Sequence, residues 1–237
     1  MIRHHFELRE TITTILADEQ THIDAAIDAI VSARQAVERC IAGDPFFGTT
    51  FEPYTPDSDD LVVKRMVSAA EKAGVGPMAA VAGAIAWSGV EAMRDAGASN
   101  GVIDNGGDIA LFSDHELLIG VHAGSSPMSD QVAFAVPPTN EVLGICTSSA
   151  TVGPSISFGI ADAVTVFSRD VALADAWATA VCNEISPDNT SVLFRIDLAE
   201  VTGVFSVIGE WNSSYGTLPP LVRANVRKDL ITAGRNL

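Results

Sequence analysis

The chain has 237 residues, 47% of them hydrophobic and only 19% charged, which is enough apolar material for a full core and argues against disorder. Thirty acidic residues against 14 basic ones leave a formal net charge of −16. Such a surface repels phosphate backbones and anionic lipid, so neither a nucleic acid nor a membrane is expected as partner. An anionic small ligand stays compatible if backbone N–H groups, a helix N-terminus or a metal ion meets its charge.

Met1 to Glu10 is polar and lacks the apolar core of a signal peptide. No apolar run approaches the roughly 18–20 residues that span a bilayer, so the expected location is cytoplasmic. The β-branched run Thr11-Ile12-Thr13-Thr14-Ile15-Leu16 predicts a strand over 10–19. Ile23, Ala26, Ile27, Ile30, Val31, Ala33, Val37, Cys40 and Ile41 recur at helical spacing and predict a long helix over about 21–42, stopped by Gly43-Asp44-Pro45. Residues 44–57 read as a loop. Ser58 is a candidate N-cap for a helix through about Ala73, ended by Gly74 and Gly76. Another helix is expected over 78–97, with a small-residue side made of Ala79, Ala80, Ala82, Gly83, Ala84 and Ala86 that permits close approach of a neighbour or a ligand.

From Gly101 the texture turns to strands, at 102–104, 108–112, 116–123 and 132–136, followed by a Thr/Ser/Gly-rich loop over about 147–159. A buried strand at 163–167, a helix over 171–185 and strand-like runs at 191–197 and 203–208 come next; the tail from Ser213 is polar and mixed. Helices and strands mix without strict alternation, which favours one α+β domain over the whole of 1–237 rather than a doubly wound sheet. Cys40, Cys146 and Cys182 are widely separated with no C-x-x-C pair and are expected as small buried apolar residues.

Three segments could carry chemistry. Val102-Ile103-Asp104-Asn105-Gly106-Gly107-Asp108-Ile109 runs from a strand through paired glycines into a second strand; the glycines admit positive φ and a close ligand, and equally make an ordinary hairpin. Asp175 and Thr179 lie four apart on one face of an apolar helix. Their oxygens suit Mg²⁺, or they satisfy local backbone groups. Thr147-Ser148-Ser149 offers hydroxyls to a phosphate or carbonyl, or simply forms turns. No histidine lies beyond His122, which stands at a strand end before Ala123-Gly124.

Taken in order, these segments resemble the ApbE family of FAD:protein FMN transferases. Residues 78–97 resemble its Gly-Ala-Lys-Gly segment, 101–110 its Asn-x-Gly-Gly-Asp turn, and 163–181 its Ala-Val-Thr-Val strand and Ala-Leu-Ala-Asp-Ala-x-Ala-Thr-Ala helix. Thr147-Ser148-Ser149 is similar to the family's Thr-Ser-Gly loop. The resemblance implies an α+β, tunnelling-fold type of mixed sheet with packed helices. It also implies Mg²⁺ at Asp175 and Thr179, with a backbone carbonyl from the 82–83 segment. FAD or FMN would then lie against Ala82, Gly83, Gly106, Gly107, Asp108, Thr147, Ser148 and Ser149, as ligand or as substrate. Two features depart from the family: Ala82-Gly83 stands where the lysine is expected, and 150–162 lacks the His-x-x-Asp-Pro segment that carries the candidate base. The departures predict a nucleotide-binding protein with little FMN transfer. A non-catalytic nucleotide carrier and an enzyme for a purine- or pterin-like ligand stay open, as do the catalytic residues and the oligomeric state.

Overall fold

A computed structural model describes residues 1–151, 158–226 and Thr232. The long helix forms where the apolar period places it, as α1 (Gln20–Gly43), burying Ile23, Ala26, Ile30 and Val37. The second helix, α2 (Leu61–Ala73), ends on Gly74 in the left-handed region, where a glycine carries no Cβ penalty. Its start departs from expectation. The N-cap is Asp60, and Ser58 Oγ instead accepts from Asp60 N at 3.3 Å in the turn before it. The helix expected over 78–97 divides into a short 3₁₀ turn (Pro77–Ala80) and α3 (Val81–Asp95).

The strands are β1 (Ile2–Leu8), β2 (Thr11–Ala17), β3 (Gly101–Asn105), β4 (Asp108–Ser113), β5 (Leu117–Gly120), β6 (Val132–Val136), β7 (Thr139–Ser148), β8 (Ala163–Ser168), β9 (Val201–Ile208), β10 (Trp211–Gly216) and β11 (Leu221–Arg223). The last helix, α4 (Val171–Glu184), joins β8 to β9. The large sheet runs β1-β2-β3-β4-β7-β8-β9-β10, and a second sheet runs β11-β6-β5. The α+β class is therefore seen directly. The sheet expected as mixed has only antiparallel ladders among the described residues.

Alternation along the strands gives the large sheet two apolar faces. One face, with Ile15, Ile103, Ala110, Cys146 and Val166, packs with the helices into a continuous core. The other, with Leu111, Ile145, Phe167 and Phe205, is covered by the small sheet. Phe134 of β6 meets Phe167 and Phe205 edge to face there, at centroid distances of 4.9 and 5.5 Å.

Three further expectations need correction. The polar N-terminal stretch is β1, an edge strand whose exposed side chains hide the signal. The segment read as a strand over 191–197 contains a 3₁₀ turn, Ser191–Arg195, which buries Val192 and Leu193. The tail from Ser213 contains the last four residues of β10 and the whole of β11. Cys146 and Cys182 are buried as expected, whereas Cys40 is half-buried.

The register brings to one end of the large sheet the β1–β2 turn at 9–10, the β3–β4 turn at 106–107, the end of β7 with the start of β8, and the β9–β10 turn at 209–210. The candidate functional residues gather there.

Candidate functional site

The β3–β4 hairpin turns on Gly106 and Gly107, with φ of 70° and 107°, a region that favours glycine. Asp104 Oδ1 accepts from Gly107 N at 2.9 Å and closes the turn. Thr147 N donates to Gly107 O at 3.2 Å, so β7 clasps it from the side.

Asp108 opens β4 opposite Cys146. It shares a strand face with Ala110, which is fully buried in the helix-side core, so its carboxylate faces the helices. Asp108 Oδ1 is closed to solvent and has no hydrogen-bond partner among the described residues. Burial pushes this carboxyl well above the usual range, and the nearby charges of Asp175 and Asp104 push it further.

Asp175, on α4, is 6% exposed. Its Oδ2 accepts from Gly83 N at 2.8 Å, across 92 residues of sequence. Gly83 lies in the first turn of α3, a helix without a side-chain cap of its own. Asp175 thus caps α3 from a neighbouring helix, taking N–H groups that every helix start leaves over. Burial raises its carboxyl to about 7, against the lowering effect of the Gly83 and Ala82 N–H groups. The approach needs glycine. A Cβ at Gly83 would lie 2.8 Å from Val171 O and 2.9 Å from Asp175 Cβ. Ala82 O accepts from Asn105 Nδ2 at 3.0 Å, tying the start of α3 to the glycine hairpin. Burial and the charges of Asp108 and Asp175 also raise the thiol of Cys146.

Thr179 Oγ1 lies 3.2 Å from Ser148 Oγ, which joins α4 to the end of β7. Thr147 points to the opposite face of the sheet, where its Oγ1 is 2.9 Å from Thr165 Oγ1. Ser149 Oγ accepts from Thr151 N at 3.1 Å just beyond the strand. The three hydroxyls named from the sequence therefore diverge, with Ser148 reaching α4 at Thr179. Ala82, Gly83, Asp108 and Asp175 converge with Ser148 and Thr179 at the α3–α4–β7 junction, with Gly107 at its rim; Gly106 is exposed.

Among the described residues, no three His, Cys, Asp or Glu side chains converge as a cation cage. An open depression lined by Gln131, Val132, Arg223, Ala224 and Asn225 belongs to the small sheet and its neighbouring chain, not to this junction. No single helix among the described residues is long and apolar enough to cross a membrane.

Missed from the sequence were Asn105, Cys146 and the role of Asp108 as a second buried carboxylate beside Asp175. Strand alternation in Asp108-Ile109-Ala110 carried a signal for the last, since Asp108 shares the face of a core alanine.

The architecture is that of the ApbE flavin transferases. The apo Pseudomonas stutzeri flavinyl transferase ApbE matches with a TM-score of 0.60 at 10% identity, over 98% of this chain and 97% of that one. The flavin transferase ApbE from Vibrio cholerae matches with a TM-score of 0.58 at 13% identity, over 91% and 96%. Identities this low establish the fold. The chain belongs to the family described as AbpE bacteria, whose model matches residues 2–201. Its relatives include a UPF0280 protein of Methanoculleus marisnigri, 63% identical over 99% of this chain and 96% of that protein. Another, from Methanoregula boonei, is 58% identical over the full length of both.

Proposed function

We propose that the protein binds FAD, FMN or a related nucleotide at the hairpin end of the large sheet, together with a divalent cation such as Mg²⁺. The carboxylate pair Asp108–Asp175 carries this reading. Two carboxylates shut away from solvent repel one another unless a proton or a cation intervenes, and one oxygen of the pair has no partner among the described residues. The donor set fits Mg²⁺, which takes one or two carboxylates and completes its shell with water and substrate phosphate. Asp108 and Asp175 would hold the ion, with Thr179 Oγ1 and the Ala82 carbonyl as neutral oxygen donors. Bound there, the ion would neutralise and polarise a phosphoryl oxygen.

This chain's own residues do the rest. Asp175 already occupies N–H groups at the start of α3, so that helix end does not receive the phosphates, and their charge falls to the cation. Gly107, with only Thr147 O near its missing Cβ, leaves backbone open at the rim. Ser148 and Thr179 supply hydroxyls beside it.

Transfer of FMN to a protein hydroxyl is expected to be slow. The family's lysine and His-x-x-Asp-Pro segment are missing from the sequence, and a positioned base contributes about 10²–10⁴-fold. The same absences favour a second reading, a carrier of a nucleotide or of a purine- or pterin-like ring. Incubation with FAD, Mg²⁺ and a flavinylation-acceptor domain tests the first reading. Slow release of FMN and AMP supports it, and covalent flavin product at rates typical of transferases overturns the expected loss of transfer. Native mass spectrometry of freshly purified protein separates the readings by the mass of any retained ligand.

A further inference from the structure

The large sheet ends on one side at β1, whose outer row of backbone N–H and C=O groups has no ladder among the described residues. Such an edge is a template for another strand unless charge, proline or a bulge blunts it. β1 contains no proline. Its ladder with β2 runs in unbroken register from Ile2–Ala17 to Leu8–Thr11, so no bulge turns the edge away. What it does carry is charge, with Arg3 and Glu7 placed symmetrically about His5. Arg3, His5 and Glu7 are exposed on one face of the strand. His4, Phe6 and Leu8 are half-buried on the other, with Phe6 against the helix-side core.

A net charge of −16 makes two copies of the chain repel over most of their surface. β1 is an exception, since its one Arg and one Glu cancel. The strand is also its own complement. Laid antiparallel on a second β1, with a two-fold axis at His5, all seven residues overlap. Arg3 of each copy then faces Glu7 of the other, Ile2 faces Leu8, and His4 faces Phe6. Opposite charges directly across an antiparallel pair stabilise it, and like charges destabilise it. A slip of two residues loses both ion pairs, because it sets Arg3 against His5 in one direction and His5 against Glu7 in the other. Arg3 already lies close enough to Asp104 to lower that carboxyl, and a guanidinium has donors enough to serve a second carboxylate. Beside the charges, Met1 and Ile2 are large apolar side chains left 52% and 41% exposed.

We propose that β1 is the interface of a two-fold dimer of this chain, the β1 strands of the two copies pairing antiparallel about His5. The contact is isologous and therefore closed, and it joins the two eight-stranded sheets into one. Backbone hydrogen bonds supply the pairing, and the Arg3–Glu7 pairs set its register. Paired strands run in opposite directions, so the two glycine hairpins lie at opposite ends of the joined sheet. Neither copy completes the carboxylate junction of the other.

Sedimentation and cross-linking of the full chain test the interface. The parent should sediment as a dimer that dissociates on dilution. Arg3→Glu and Glu7→Arg each set like charges opposite one another twice, and each should raise the dimer dissociation constant by about 10-fold or more. The double variant Arg3→Glu/Glu7→Arg exchanges the partners and should return the constant to within about threefold of the parent, a rescue that a mere loss of folding would not give. His5→Cys reads the register directly. Residues directly opposite in an antiparallel pair have Cα atoms about 4.5–5.5 Å apart, within the range that a disulfide spans. His5→Cys should therefore cross-link to itself under mild oxidation, whereas the parent and Ser213→Cys, on the opposite edge strand β10, should not. A parent that stays monomeric at the highest concentration reached overturns the proposal. So does a dimer indifferent to the single reversals, a double variant that fails to regain the contact, or cross-linking by Ser213→Cys in place of His5→Cys.

Discussion

Replacing Asp175 by Asn isolates the electrostatic cost of the buried carboxylate. The carboxyl rises from 3.8 to about 7 in the fold. Between those values the folded state binds a proton that the unfolded chain releases, so stability falls as pH rises through that window and is lowest above about 7. A shift of about 3 units corresponds to about 4 kcal/mol at full ionisation. This figure is net of the Gly83 and Ala82 hydrogen bonds, which act in the opposite direction. Asn keeps an acceptor for Gly83 N but buries an amide nitrogen, which costs about 1–3 kcal/mol if it stays unpaired. In chelator near pH 8 the variant should therefore be more stable than the parent by about 1–3 kcal/mol by urea unfolding. Near pH 5, where the parent is protonated, its advantage should vanish. Mg²⁺ at about 1,000 times its Kd should reverse the order near pH 8, because it adds about 4 kcal/mol to the parent and little to the variant. If Asp175→Asn is less stable than the parent in chelator near pH 8, the carboxylate is a net-stabilising cap for α3 and the proposal of a cation at this pair fails.

Gly83→Ala sets helix propensity against packing. Alanine gains up to about 1 kcal/mol in a helix interior, but its Cβ would lie 2.8 Å from Val171 O, and overpacking costs about 1–3 kcal/mol. A net loss of stability in thermal or urea unfolding is expected, and a gain would mean that α3 and α4 can part at little cost. Gly107→Val should lower stability by about 1–2 kcal/mol through its left-handed backbone and abolish FAD binding by calorimetry; unimpaired binding would place the ligand elsewhere. Phe134→Ala removes a fully buried ring that links the two sheets and should cost about 3–5 kcal/mol in urea unfolding, with binding of FAD retained once the variant is folded.

Much of the secondary structure was legible because it rests on local periodicity. The apolar repeat from Ile23 to Ile41 presents one face whatever it packs against, and α1 follows it. The Ala-Val-Thr-Val-Phe run is apolar on both sides because β8 is covered on both faces, by the helices and by the small sheet. Where periodicity is weak, the reading failed. β1 is an edge strand with little burial. The outer end of β7, Thr139-Asn140-Glu141, is polar and exposed, and its inner end, Thr147-Ser148, carries turn-forming hydroxyls.

The sequence by itself determined the α+β composition, the positive-φ glycine hairpin and the shared helical face of Asp175 and Thr179, since each depends on neighbours within a few residues. Only the tertiary structure decided that Asp175 caps α3 through Gly83 and that Thr179 bonds to Ser148. It also brought Asp108 close enough to Asp175 for their charges to interact, and fastened the β5–β6 connection to the β9–β10 turn through Ser126 Oγ and Gly209 O. These partners come from segments far apart in the chain. Their distances are set by how closely helices and strands can pack, which depends on the whole core and on no local pattern.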